Sequence, residues 1–160
     1  MIPSSHKAGF VNIIGKPNVG KSTLMNILVG ERLSIVSSKA QTTRHRILGL
    51  INTEEYQIVF SDTPGMLKPK YELHKSMMGF VHLTLEDADV IVFVTDLFES
   101  DEEIEEVIQK INTSGVPVLL VINKIDLAKE GQLEEVTQYW TSRIQAATVM
   151  PISALEQFNP

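Results

Sequence analysis

A chain of 160 residues with 43% hydrophobic and 21% charged side chains has the material for one domain with its own core, which excludes a disordered or low-complexity polypeptide. Its formal net charge of -6 speaks against a duplex-binding protein, because phosphate backbones reward clustered Lys and Arg, and the absence of cysteine excludes disulfides and thiolate metal sites. The polar opening segment 1–10 lacks a signal-peptide core and no apolar run approaches a membrane span, so a cytoplasmic location is expected.

Taken in chain order, residues 10–15 form an apolar run that reads as a strand, followed by a helix over 21–29. A strand over 47–51, a turn-like Asn52-Thr53-Glu54-Glu55 and a run over 57–62 predict a hairpin, so one edge strand should be antiparallel. Beyond these, a helix over 71–87, a strand over 90–96, a helix over 101–112, a strand over 116–123, a helix over 132–146 and a strand over 148–153 complete the series. Strands alternating with helices signal a mostly parallel sheet covered on both faces, and the Val- and Ile-rich runs at 90–94 and 118–122 suit strands buried on both sides. The fold class is therefore α/β, in one domain over 1–160. Trp140, Met77 and Met78 read as packing residues, and His6, His45, His74 and His82 have no ligand-like spacing.

Gly15-Lys16-Pro17-Asn18-Val19-Gly20-Lys21-Ser22 matches G-x-x-x-x-G-K-[ST] between a strand and a helix. Glycine permits the left-handed turns that aim successive backbone N–H groups inward, so the loop and the helix N-terminus form a cradle for a polyphosphate. Lys21 is placed to reach the β- and γ-phosphates, Ser22 to offer its hydroxyl to magnesium and Thr23 to donate to the α-phosphate. The cradle by itself does not distinguish ATP from GTP.

Asp62-Thr63-Pro64-Gly65 follows the strand expected beside the cradle, which puts the Asp62 carboxylate where a magnesium ion on the phosphates would lie. Gly65 has no Cβ, so its N–H can approach a γ-phosphate closely. In the polar connection before the hairpin, Gln41-Thr42-Thr43-Arg44 offers a further hydroxyl to the metal; Thr43 is preferred, with Thr42 the alternative. Asn123-Lys124-Ile125-Asp126 comes directly after the strand over 116–123, at the edge where open α/β sheets bind nucleotides. An ionised carboxylate only accepts hydrogen bonds, so Asp126 suits the adjacent N–H donors of guanine and not the edge of adenine. Asn123 is suited to bridge the loop and the base edge, the stem of Lys124 to cover the ring face, and Ser153-Ala154-Leu155 to supply backbone N–H groups to the guanine carbonyl.

Together these segments resemble the five motifs of translation-factor-related P-loop GTPases, in order and spacing, over nearly the whole chain. More narrowly, Ala40-Gln41-Thr42-Thr43-Arg44-His45-Arg46 and Phe60-Ser61-Asp62-Thr63-Pro64-Gly65 resemble the GTPase domain of the Era-type family of bacterial ribosome-assembly GTPases. The resemblance implies a three-layer sandwich around a six-stranded sheet, GTP and GDP as ligands with Mg2+, and a role in 16S rRNA processing and assembly of the 30S subunit. In that family the GTPase domain continues into a further helix and an RNA-binding KH domain, so the chain is expected to be the monomeric GTPase part with its final helix truncated. The 16S rRNA contacts, and peripheral association with the inner membrane, would belong to the family's longer form.

The expected reaction machinery is Lys21, Thr43, Gly65 and Asn18. Ras-like GTPases place a water-orienting glutamine where this chain has Met66, whose thioether neither donates nor accepts usefully, so slow hydrolysis is expected. By resemblance to potassium-activated GTPases, Asn18 would help to hold K+; capping of the turn is its other reading. Three rival functions stay open at this point. They are a nucleotide-dependent binding module with negligible hydrolysis, an ATPase or small-molecule kinase, and an RNA-binding protein acting through Arg44-His45-Arg46.

Overall fold

The structure, a computed structural model, describes residues 6–16, 18–30, 47–62, 85–97, 105–146 and 148–156. The β-branched and aromatic runs form six strands: β1 (Lys7–Ile14), β2 (Ile47–Asn52), β3 (Tyr56–Asp62), β4 (Val90–Thr95), β5 (Val118–Ile122) and β6 (Thr148–Pro151). They make one sheet in the order β2-β3-β1-β4-β5-β6. The pairs β1–β3, β1–β4, β4–β5 and β5–β6 are parallel, and β2–β3 is antiparallel. This is the six-stranded, mostly parallel sheet with an antiparallel edge that the sequence predicts.

Because successive side chains on a strand point to opposite faces, each central strand feeds two cores. Ile13, Val92, Val94 and Val121 pack with Leu24 and Met25 of α1 (Lys21–Val29) on one face. Ile14, Ile91, Phe93 and Leu120 pack on the other with Val107, Ile108 and Ile111 of α2 (Glu105–Thr113) and Trp140 of α3 (Gln132–Arg143). Burial on both faces is why these strands read as unbroken apolar runs. The described part of the helix expected over 71–87 is helical at 85–87; residues 71–84, with Met77 and Met78, lie outside the described residues, as does 101–104 before α2.

Several boundaries differ from the sequence reading; β6, for example, ends at Pro151 and not at Ser153. Strand β1 starts at Lys7 because Lys7 and Ala8 continue the parallel register opposite Tyr56 and Gln57, although their side chains face solvent. Strand β5 starts only at Val118. Helix α3 ends at Arg143 and not at Ala146: Ile144 turns extended, with φ -116° and ψ 127°, to bury its side chain. Asn112 of α2 takes over the released backbone groups, donating to the Arg143 carbonyl at 2.8 Å and accepting from Gln145 N–H at 3.1 Å. No helix among the described residues is long and apolar enough to cross a membrane.

Trp140 is the largest fully buried side chain, its ring 5.3 Å from that of Phe93 and edge-on to Tyr139. Truncating it opens a cavity between α3 and the sheet. Trp140→Ala is expected to lower the unfolding free energy by about 3–5 kcal/mol, read by urea denaturation followed by circular dichroism.

Candidate functional site

Parallel pairing brings the carboxyl ends of β1, β3, β4, β5 and β6 to one edge of the sheet, and the loops carrying the motif residues leave from there. The register sets Ile13 beside Asp62, Thr95 beside Ile122, and Ile122 beside Pro151. Residues as far apart in sequence as Lys21, Asp62, Asn123 and Ser153 thereby share one neighbourhood.

The loop after β1 passes so close to β4 that a Cβ on Gly15 would overlap the Val94 carbonyl. Asn18 (φ 63°) and Gly20 (φ 104°) are left-handed, which curls the chain into α1. The N-cap of α1 is Gly20, which has no side chain to cap the helix, and the N-terminal end of α1 faces the cradle. Lys21 is buried and donates from Nζ to the Lys16 carbonyl at 2.7 Å, lying along its own loop, while Val19 is buried in the core beside α1 and Thr23 half-buried on the first turn.

Ser22 Oγ donates to Asp62 Oδ2 at 2.7 Å, joining the helix start to the end of β3. The Asp62 side chain is fully buried, yet Oδ1 has no hydrogen-bond partner among the described residues. A buried carboxylate oxygen in that condition is costly, and a hard divalent cation coordinated by oxygens would satisfy it. The Ser22 hydroxyl and Asp62 carboxylate are thus a donor pair that fits magnesium.

At the other end of the edge, Asn123 is 3% exposed and uses its carboxamide as a clasp. Nδ2 donates to the Val19 carbonyl at 2.8 Å, and Oδ1 accepts from Ala154 N–H at 2.9 Å. The amide therefore bridges two loops; neither of these bonds is directed to a base edge, and the Ala154 N–H is turned to Asn123. Asp126, exposed in the 3-10 turn Ile125–Leu127, accepts from Ser153 Oγ at 2.7 Å on Oδ1. Ser153 contributes through its hydroxyl, and Leu155 is 79% exposed at the rim.

Lys124 adopts φ 63° and sends Nζ to the Asn18 carbonyl at 2.6 Å and to Asp96 Oδ2 at 2.8 Å. Asp96 belongs to none of the sequence motifs. Its signal was there: a carboxylate directly after a parallel strand, at the ligand-binding edge. Thr42, Thr43, Gly65 and Met66 lie outside the described residues, as do Gln41 and Arg44.

Residues 10–124 match the family described as 50S ribosome-binding GTPase. Among curated proteins, GTPase Era of Staphylococcus epidermidis is 42% identical over 160 residues, covering 98% of this chain and 52% of that protein. A crystal structure of Era in complex with MgGDPNP and nucleotides 1506–1542 of 16S ribosomal RNA superimposes with a TM-score of 0.86 at 43% identity, over 96% of this chain and 53% of that one. Era of Aquifex aeolicus bound to GDP.AlF4- gives 0.85 at 44% identity over the same shares. The chain spans about half the length of these relatives.

The clasp generates a prediction. A Cβ at Gly20 would overlap Asn123 Nδ2, whereas one at Gly30, also left-handed at φ 77°, meets nothing within 4 Å among the described residues. Gly20→Ala is expected to cost more stability than Gly30→Ala by upwards of about 1 kcal/mol, measured by thermal unfolding of the two variants.

Proposed function

The chain belongs to the 50S ribosome-binding GTPase family, and on that premise we propose that it is an Era-like switch that binds GTP and GDP with Mg2+ and slowly hydrolyses GTP to GDP and phosphate. The observation that carries this reading is the convergence on one sheet edge of Lys21, the Ser22–Asp62 pair and the Asn123–Ser153–Asp126 group. These are a polyphosphate site, a hard-cation site and an acceptor for paired N–H donors, in one row.

In this reading the backbone N–H groups of 18–23 and the Lys21 ammonium take the β- and γ-phosphates. Binding draws Lys21 from the Lys16 carbonyl to a phosphate oxygen, exchanging a neutral acceptor for an anionic one. Ser22 and Asp62 hold Mg2+, with Thr43 in preference to Thr42 as a further ligand; when bound, the ion neutralises charge on the phosphate oxygens. The Gly65 N–H reads the γ-phosphate, and the loops around Thr43 and Gly65 order in the GTP state and release after hydrolysis. Asp126 accepts the guanine N–H groups on the carboxylate that Ser153 orients, and the stem of Lys124 covers the base. Ala154 and Leu155 line the carbonyl side of the base. Catalysis rests on charge stabilisation by Lys21 and the cradle, since Met66 offers no water-orienting group; the Asn18 side-chain oxygen would hold K+, which would add positive charge beside the phosphates.

The partner in this reading is small-subunit rRNA, because Era has been captured with both MgGDPNP and 16S ribosomal RNA. Residues 1–160 serve as the nucleotide-dependent, monomeric, cytoplasmic GTPase part. The acidic balance of -6 speaks against residues 1–160 making extensive RNA contacts themselves. Met66 favours one second reading, a nucleotide-dependent binding module that does not turn over. Single-turnover phosphate release separates the two: a rate indistinguishable from that of GTP in buffer establishes the module.

Asp126→Asn replaces an acceptor with a donor toward the base. It is expected to weaken GTP by at least about tenfold and to improve xanthosine triphosphate, measured by nucleotide competition. Unchanged GTP affinity would overturn the base assignment. Hydrolysis is expected to run faster in K+ than in Na+ at equal ionic strength, and equal rates would remove the monovalent cation from Asn18.

A further inference from the structure

The ion pair between Asp96 and Lys124 carries an inference beyond the motifs. Asp96 follows β4 and its carboxylate is 9% exposed, while the Lys124 side chain is 32% exposed, so the pair is anchored at its acid end and open at its amine end. The same ammonium reaches the Asn18 carbonyl in the cradle. One cation therefore connects three loops, after β1, β4 and β5. Lys124 holds a left-handed backbone, which a side-chain-bearing residue adopts at a cost, so local preference does not keep it there.

Two consequences follow from charge. An unpaired carboxylate beside a polyphosphate site would repel the ligand and be costly to bury; Lys124 neutralises it. An ammonium without Asp96 would retain the Asn18 carbonyl as its only acceptor among those described here, and its long stem would regain the rotamer freedom that the pair removes. A stem free to leave the ring face covers no base.

We propose that Asp96 is a positioning residue for guanine nucleotide: by fixing the Lys124 ammonium against the Asn18 carbonyl, it holds the base-reading loop on the phosphate cradle before the ligand arrives. Asp96 touches neither base nor phosphate in this account and acts on the ligand through Lys124. The inference rests on the guanine-nucleotide reading above.

The test is a double-mutant cycle on the protein, with the dissociation constant of a fluorescent GDP analogue as the readout and thermal unfolding as the check on folding. Asp96→Ala is expected to weaken binding about tenfold. Asp96→Asn, which keeps an acceptor oxygen, is expected to recover most of that loss. In a Lys124→Met background, where no ammonium is left to position, Asp96→Ala is expected to add less than about a twofold change. Wild-type affinity in Asp96→Ala, or losses that multiply in the double variant, would overturn the proposal. If the alanine variant unfolds below the assay temperature, Asp96→Ser takes its place in the cycle with the same two outcomes. Wild-type protein that binds no guanine nucleotide would sink both readings, whereas tight wild-type binding with an unaffected cycle sinks this one alone.

Discussion

The site depends on one buried carboxamide. Asn123 is held at the end of β5 by its own N–H, which donates to the Thr95 carbonyl at 2.8 Å, so the side chain has a fixed origin. From there its two polar atoms satisfy one group in the cradle and one in the loop after β6. A carboxamide suits this role because it donates and accepts at once without a charge to desolvate. A carboxylate could not donate to Val19, and an ammonium could not accept from Ala154. Gly20 follows from the same constraint, since a side chain there would occupy the space of the Asn123 amide.

Around that clasp, three carboxylates stand in three environments. Asp126 is exposed and needs only the Ser153 hydroxyl to orient it. Asp96 is buried and neutralised by Lys124. Asp62 is the most buried of the three and has a hydroxyl on one oxygen and, among the described residues, no partner on the other. The gradient runs from an exposed acceptor, through a buried ion pair, to a buried carboxylate whose second oxygen suits a hard cation. The chain is acidic overall, yet the Lys21 and Lys124 ammonium groups lie at this edge. Local placement of charge, and not the net value, decides what the site attracts.

The two cores explain why such a site can be held so closely. Ile13 and Ile14, Val92 and Phe93, and Leu120 and Val121 are neighbours in sequence that enter opposite layers, so each strand end is clamped from both sides. Loops that leave a strand clamped in this way start from fixed points. The site residues therefore inherit their positions from packing well away from the nucleotide edge.

The cradle from Gly15 to Ser22, Asp62, the run from Asn123 to Asp126 and the alternation of strands with helices were legible in the sequence, because each rests on spacing or on hydrophobic periodicity that local chain geometry imposes. The sheet order, the end of α3 at Arg143 and the early start of β1 at Lys7 were not, since they depend on partners distant in sequence: Asn112 for the helix end, Tyr56 and Gln57 for the strand. The sequence by itself determined which chemistry the chain carries, for residue type sets what can donate, accept or hold a charge. Only the tertiary structure decided how those groups are paired. Asp96 became visible when β4 and β5 lay side by side, and the Asn123 amide proved to be directed at two loops, because hydrogen bonds and ion pairs form across space between residues that no local pattern links.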